Sequence, residues 1–394
     1  MPQTLESPAV SVVKKMQEHF PTASPDTACE EITEQDTEIF FRVISTDLND
    51  EQVKAVVTPK RTYSYRTVMA VHWHPEFIPM DLIRQRIAAS YPHKEGDLII
   101  PTQHNQILEY DDYAGVEVDC YSRGFNQKVQ LLLHFEKSRQ DKAEVLKSMC
   151  AHTFTYRSSQ LFDFMHTIIR PDEKRIEAAV AQTGADAVLV KFVATYVKKI
   201  EELLMQHESE VPPDAIKNKL LRNFFDELRP IYGATVINRV QNYLKAVKAI
   251  VKQHFSLQYF YRTSEIIEEA RAIGAGIIIP HPEQFWPILL AEYDVDGYEV
   301  WNPQSQRYTD FLISVLNDKN KSLAGKRRPL LIFMGDDTHM GEKVKKPEHQ
   351  DKAKASREIG YQPAWDDLCI RKKLITANLC KEQVIQEYRS RLAG

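Results

Sequence analysis

The spacing of hydrophobic and polar positions changes twice along this chain of 394 residues. From Thr37 to Phe135, short runs rich in β-branched and aromatic residues predict strands: TEIFFRVIS, EQVKAVVT, TVMAVHWH, DLIIPT, AGVEVDCY and KVQLLLHF. From about Ser138 to His254, apolar residues recur every three or four positions, which predicts helices. Beyond residue 257 a helical pattern, SEIIEEARAIGAG, leads into the strand-like runs GIIIP, DGYEVWN and PLLIFMGDD. The pattern therefore predicts an α/β protein.

Alternating strands and helices favour a parallel sheet or barrel, with functional side chains at the carboxyl ends of the strands. We expect an N-terminal arm at 1–35, a first part of the barrel at 36–137, a helical insertion at 138–257, and a second part with C-terminal helices at 258–394. The insertion is interpreted as a bundle packed on itself. In the alternative, it is a lid or partner surface whose lysines, Lys245, Lys248 and Lys252, contact an anionic ligand.

Composition narrows the class of protein but not its chemistry. The hydrophobic content of 43% and charged content of 27% are ordinary for a globular chain. A formal charge of -4 gives no electrostatic reason for broad nucleic-acid binding, and no apolar run is long enough to span a membrane. The first residues lack the pattern of a secretory signal, and the five cysteines show no CxxC spacing. We therefore expect a cytoplasmic protein with reduced thiols.

Histidines and carboxylates recur where the strand-like runs end. His72 and His74 close TVMAVHWH, and alternate residues of a strand point the same way, so both imidazoles can share one ion. An isolated HxH also occurs in ordinary packing. Asp337 and His339 follow LLIFMGD with the same spacing, and Gly335 suits a sharp transition from strand to loop.

Four further residues of the same chemical types lie at or within other strand-like runs. The complete candidate set comprises His72, His74, His104, Glu117, His134, His281, Asp337 and His339. These eight ligands exceed the needs of one ion, so they suggest two or three divalent metals close together. Such a cluster suits in-line displacement at a phosphoester.

The ordered motifs resemble those of the polymerase-and-histidinol-phosphatase (PHP) superfamily. VHWH, PTQHN, AGVEVD, LLLHF, IIIPHPEQF, DGYEVWN and GDDTH are similar to seven family motifs in the family's order, over roughly residues 66–135 and 258–345. The resemblance implies a distorted (β/α)7 barrel of the PHP type with a large helical insertion. It also implies two or three ions of zinc, manganese or iron bound by the eight candidates, with Glu117 bridging, and phosphoester hydrolysis by a metal-bound hydroxide. The glutamate corresponding to Glu299 is usually not a ligand.

Two motif positions depart from the family pattern. Pro79 stands where a ligand aspartate is usual, so Glu76 or Asp81 would have to replace it, and Gln103 stands where the second motif has aspartate. For the basic residue that meets the substrate phosphate, Arg123 is the first candidate and Arg307 the second.

The sequence thus predicts a metal-dependent hydrolase acting on a small phosphorylated molecule or nucleotide, with His339 or another site histidine protonating the leaving group and Arg123 contacting the phosphate. One alternative is a 3′-end-trimming nuclease on the same barrel, although nucleic acid is a less favoured partner. Another is a non-catalytic scaffold with a vestigial metal site. The oligomeric state stays open.

Overall fold

The computed structural model describes residues 23–376 and 379–394, which form two compact units. The helical unit comprises the described part of Met1–Ser45 with Arg157–Phe255, and the sheet unit comprises Thr46–Tyr156 with the described part of Ser256–Gly394. Residues 36–45 thus belong to the helical unit and residues 138–156 to the sheet unit. Most of the expected arm at 1–35 lies outside the described residues.

The strands all lie in the sheet unit and most are short. Their bounds are β1 Thr67–Ala70, β2 Trp73–His74, β3 Gly96–Ile99, β4 Leu108–Tyr110, β5 Tyr113–Ser122, β6 Gln127–Glu136, β7 Gly276–Ile279, β8 Gly297–Trp301, β9 Leu331–Met334 and β10 Thr338–His339. The runs GIIIP, DGYEVWN and LLIFM are strands as predicted, and β7, β8 and β9 are completely buried.

The described strands form three sheets. One has six strands in the order β4-β5-β6-β7-β8-β9, and two parallel pairs, β1–β3 and β2–β10, complete the set. The predicted parallel pairing is confirmed for β7–β8 and β8–β9. It is wrong for β4–β5, β5–β6 and β6–β7, which are antiparallel. Only four residues join β5 to β6, too few for a parallel crossover. The α/β class is confirmed, and the described strands do not form a closed barrel.

The α-helices occur in both units. Their bounds are α1 Glu34–Ile44, α2 Asp50–Val57, α3 Met80–Ser90, α4 Glu144–Phe154, α5 Tyr156–Ile169, α6 Glu173–Thr183, α7 Ala187–Gln206, α8 Lys219–Glu227, α9 Arg229–Tyr232, α10 Ala234–His254, α11 Thr263–Ala272, α12 Thr309–Leu323, α13 Lys352–Ala355, α14 Leu368–Thr376 and α15 Lys381–Ala393. The predicted helical character of 138–254 is confirmed. In the described residues no helix has the length and apolarity that a membrane span requires.

Two strand predictions are wrong, because TEIFFRVIS lies in α1 and EQVKAVVT lies in α2. Each helix begins with a capping box: the Thr33 side chain accepts from the backbone of Asp36, whose carboxylate accepts from Thr33 in return, and Asn49 pairs likewise with Gln52. These side chains satisfy amides that a strand would pair with a neighbour, so the polar residues before each run decide its structure.

Each unit has its own hydrophobic core. In the sheet unit, the buried faces of β5 to β9 pack with α4, α11, α12 and α15. In the helical unit, α1, α5, α7, α8 and α10 pack around a separate core rich in leucine and phenylalanine. A second core of the sheet unit packs β1, β2 and β3 with α2 and α3.

Candidate metal centre

Parallel pairing of β2 with β10 brings the HxH and DxH motifs together. The register places Trp73 opposite Thr338 and His74 opposite His339. The backbone N–H of Asp337 donates to the carbonyl oxygen of His72 at 2.9 Å. Residues 265 positions apart in sequence are thereby held side by side.

Glu117 lies in the middle of β5, and the loop containing His104 is hydrogen-bonded directly to it. The Asn105 N–H donates to the Glu117 carbonyl at 2.7 Å, and the Glu117 N–H donates to the Gln103 carbonyl at 3.1 Å. His104 and Glu117 form an isolated parallel bridge. Gln103 therefore contributes its backbone carbonyl here.

The candidate ligand atoms form three overlapping groups: His72 with His74 and Asp337, His72 with Glu117 and His281, and His74 with His104 and Glu117. Within each group these atoms all lie within 4.8 Å of one another. Two histidines and one carboxylate are each shared by two groups. The arrangement therefore suits ions that lie close together.

The distances between these atoms fit a bound cation better than direct hydrogen bonds. Asp337 Oδ1 lies 3.4 Å from His74 Nε2 and 3.8 Å from His72 Nε2, and Glu117 Oε1 lies 3.5 Å from His281 Nε2. Ligand atoms about 2.0–2.1 Å from a tetrahedral ion are separated from one another by roughly 3.3 Å. His72 Nε2 and Glu117 Oε1 are buried without hydrogen-bond partners, whereas Glu117 Oε2 lies 2.7 Å from His104 Nδ1. A cation would satisfy His72 Nε2 and Glu117 Oε1.

His339 lies beside the three groups. Its Nε2 lies 3.3 Å from Asp337 Oδ1, and its ring stacks on that of His74 with centroids 4.4 Å apart. His134 is bonded differently: its Nδ1 contacts the hydroxyl of Tyr388 at 2.8 Å, and its Nε2 is buried without a partner. His134 does not belong to any of the three groups.

Electrostatics keeps the carboxylates ionised and one imidazole neutral. Burial opposes ionisation of Glu117, but His104 and His281 hold its pKa well below the usual range. Burial and two neighbouring histidines lower the pKa of His74 to about 3. Burial also opposes protonation of His72, but Glu299 raises its pKa to about 10. The negative charge of these carboxylates attracts a cation, and a bound cation would displace the proton from His72.

Glu299 orients His72 from behind. Its Oε1 lies 2.8 Å from His72 Nδ1, so Nε2 faces the ligand groups. Its Oε2 accepts from the backbone N–H of His281 at 2.9 Å and from the Asn302 amide at 3.2 Å. A Cβ on Gly335 would overlap the Glu299 carboxylate. A carboxylate commonly fixes the orientation of a metal-binding histidine in this way, and Glu299 holds the same position behind His72.

Asp337 has two partners that the sequence did not reveal. While its Oδ1 faces the imidazoles, its Oδ2 accepts from Arg357 Nη1 at 2.7 Å and from Gln304 Nε2 at 2.6 Å. The same Arg357 nitrogen donates to the Asp337 carbonyl at 2.8 Å. These bonds leave one carboxylate oxygen for a metal.

Left-handed backbone conformations concentrate at this site. Among the described non-glycine residues with positive φ, four of six are at or beside the ligand groups: Glu76, Asn105, His281 and Asp337. Such conformations cost energy and tend to occur at functional sites. The glycine expected at the turn after β9 does not adopt one, whereas Asp337 does, with φ of 45°.

The two predicted substrate arginines are both exposed. Arg123 is exposed in the turn between β5 and β6, six residues from Glu117, or about 20 Å along an extended strand. Arg307 is exposed and stacks on the ring of Tyr308. A different arginine, the buried Arg357, contacts the candidate ligand Asp337 at 2.7 Å. No local sequence pattern predicts this contact.

The two candidate replacements for the missing aspartate lie in different environments. Asp81 is exposed in α3, which Pro79 precedes as N-cap. Glu76 is largely buried, and its Oε1 lies 3.4 Å from His339 Nδ1. Only Glu76 therefore contacts the candidate centre.

Comparison with known proteins finds only distant structural similarity. No known family's sequence profile matches the chain, and no curated protein matches it. Among solved structures, a proposed metal-dependent phosphoesterase from Bifidobacterium adolescentis has a TM-score of 0.38 and 15% sequence identity to this chain, covering 85% of this chain and 97% of its own.

Proposed function

We propose that this chain is a metal-dependent phosphoesterase that hydrolyses a small phosphorylated molecule or nucleotide at a centre of two or three divalent ions. The observation that carries the proposal is the set of three overlapping ligand groups, whose buried atoms are spaced like the coordination shell of an ion. Imidazole and carboxylate ligands suit zinc, manganese and iron.

The proposed ligands are His72, His74, His104, Glu117, His281 and Asp337, with His339 and His134 as further candidates. Glu117 faces two groups with different oxygens, Oε1 toward His281 and Oε2 toward His74, so it is suited to bridge. If His134 is a metal ligand, its ligand atom is Nε2, because its Nδ1 contacts the Tyr388 hydroxyl.

Divalent ions in such a site lower the pKa of water and stabilise charge on phosphoryl oxygens. The protein residues supply position and proton transfer. Glu299 orients His72, while Arg357 and Gln304 hold Asp337 in place. We assign protonation of the leaving group to His339, whose side chain keeps 12% exposure at the edge of the site. We assign no substrate contact to Arg123, because it lies beyond the end of β5, six residues from Glu117.

The test is to purify the protein, quantify its bound metals and assay phenyl phosphate with and without added manganese. We expect bound metal and metal-dependent release of phosphate. Substitution His281→Ala should abolish turnover and leave the circular-dichroism spectrum unchanged. The matched variant His93→Ala, at an exposed position, should retain turnover. Absence of both metal and activity would refute the proposal and favour a scaffold.

A further inference from the structure

A cavity of about 390 Å³ opens one residue beyond His104 in the sheet unit. Residues 105–107 form one wall, and α4 forms the opposite wall. The volume falls in the range of pockets that bind small organic molecules. None of the residues that line this cavity belongs to the three ligand groups.

The cavity is held in a fixed position relative to Glu117. Asn105 donates from Nδ2 to Asp119 Oδ2 at 2.8 Å, and Asp119 donates from its backbone to Asn105 Oδ1 at 2.9 Å. Asp119 lies in β5, two residues from Glu117, and therefore points to the same face of the strand. The wall after His104 is thus fixed to the strand that carries the bridging carboxylate.

The exposure of the ligands shows where the centre can be reached. His104 retains 28% side-chain exposure, whereas His72, His74 and Glu117 retain 1% each. His104 is thus the most exposed of these ligands, and the next residue along the chain, Asn105, lines the cavity.

The cavity has an apolar body. Ile107, Ala151 and Phe154 contribute hydrocarbon surface, and Cys150 adds a buried thiol. Burial raises the pKa of the Cys150 thiol to about 12, so this group stays neutral and acts as a small apolar side chain.

The polar part of the lining favours negative charge. Among the described residues that line the cavity, Lys147 is the one charged side chain, and Gln106 adds an amide donor, whereas the Gln140 side chain bonds to Glu109. The ammonium of Lys147 contacts Glu144 at 2.8 Å, but Glu144 is 75% exposed and lies outside the lining. Such a surface pair is weak, and an ammonium has three donors.

Resting on the proposed function, we propose that this cavity binds the leaving group and selects phosphoesters whose leaving group has an apolar body ending in an anionic group. Lys147 pairs with that anion, and α4 packs on the apolar body. A cationic leaving group is disfavoured, because it would place its charge near Lys147 with no carboxylate in the lining.

The selectivity can be measured with three aryl phosphates that share one reacting group. These are 4-(2-carboxyethyl)phenyl, 4-propylphenyl and 4-(2-aminoethyl)phenyl phosphate, whose two methylenes insulate the phenol from the charge. We expect kcat/KM to fall in that order, with the anionic substrate favoured about tenfold over the neutral one, as for one charge-assisted hydrogen bond at a partly exposed site. Lys147→Met should remove this preference, while Lys142→Met, outside the lining, should preserve it.

Steric filling of the cavity gives a second, independent variant. Ala151→Trp should lower kcat/KM for all three extended substrates but not for unsubstituted phenyl phosphate. Val145→Trp, at an exposed position of α4 outside the lining, should leave all four unchanged. Phenyl phosphate turnover without any preference among the extended substrates would overturn the cavity assignment and leave the proposed function intact.

Binding tests the cavity even if no substrate is turned over. The product 3-(4-hydroxyphenyl)propionate, followed by ligand-observed NMR, should bind the wild-type protein and the Val145→Trp variant but not Lys147→Met or Ala151→Trp. Equal binding to all four proteins, or to none of them, would overturn the proposal.

Discussion

Substitution Glu299→Gln tests whether a carboxylate behind His72 controls metal binding. In the wild-type protein one oxygen of Glu299 faces His72 Nδ1 at 2.8 Å, and the other accepts from the His281 backbone at 2.9 Å. Glutamine has the same shape but only one acceptor oxygen. One of the two contacts must therefore fail.

Either orientation of the new amide is unfavourable. If its NH2 group faces His72, Nδ1 must become an acceptor, the ring proton moves to Nε2, and the ligand atom is blocked. If the NH2 group faces His281, two donors meet in a buried site, at a cost of about 1–3 kcal/mol. Loss of such an orienting partner typically lowers metal affinity about 10–100-fold, which corresponds to a similar energy.

The assay is competition for zinc between the folded protein and a fluorescent chelator, with circular dichroism to confirm the fold. Glu283→Gln is the control, because Glu283 is also partly buried beside His281 while one of its carboxylate oxygens lacks a hydrogen-bond partner. We expect this variant to keep the wild-type affinity. Equal zinc affinity in Glu299→Gln and wild type would refute the orienting role.

Three further predictions follow from contacts within each of the two units. Gly335→Ala places a methyl group against the Glu299 carboxylate and should cost about 1–3 kcal/mol of stability; an unchanged Tm would contradict this close approach. Lys199→Met leaves the buried Asp36 carboxylate without the ammonium now 2.7 Å away and should cost about 3 kcal/mol in urea unfolding; a loss near zero would contradict it. Burial and four nearby basic side chains lower the pKa of Lys248 to about 8. The unfolded chain then binds more protons between pH 8 and about 10.4, so stability should rise with pH there more steeply in wild type than in Lys248→Met; parallel profiles would refute this.

The sequence was sufficient for features that depend on local signals. Apolar runs are visible without the fold, and β7, β8 and β9 formed where the runs GIIIP, DGYEVWN and LLIFM predicted them. Equal spacing in the HxH and DxH motifs predicted that each pair of side chains shares one strand face, but Asp337 has φ of 45° and, like His72, lies just before the paired residues. That these faces meet depends on the register between Trp73 and Thr338, which only the folded chain determines.

Features that depend on distant partners could not be predicted. Arg357 follows Asp337 by 20 positions with no periodic pattern, yet it donates to both its carboxylate and its carbonyl. Capping residues outweighed β-branched composition at Thr33 and Asn49, which is why two expected strands are helices. Local propensity fails where a few polar contacts decide the backbone.

The geometry at Glu76 explains how the centre can form without the usual first-motif aspartate. Glu76 Oε1 faces Nδ1 of His339, whereas Nε2 of the same ring faces Asp337. A Cβ on Gly341 would overlap the second Glu76 oxygen, so the glycine makes room for this carboxylate. Glu76 is therefore placed to orient His339 in the way that Glu299 orients His72, with the far ring nitrogen directed at the ligand groups. A carboxylate in this position would hold the His339 ring in place and would not itself be a ninth ligand.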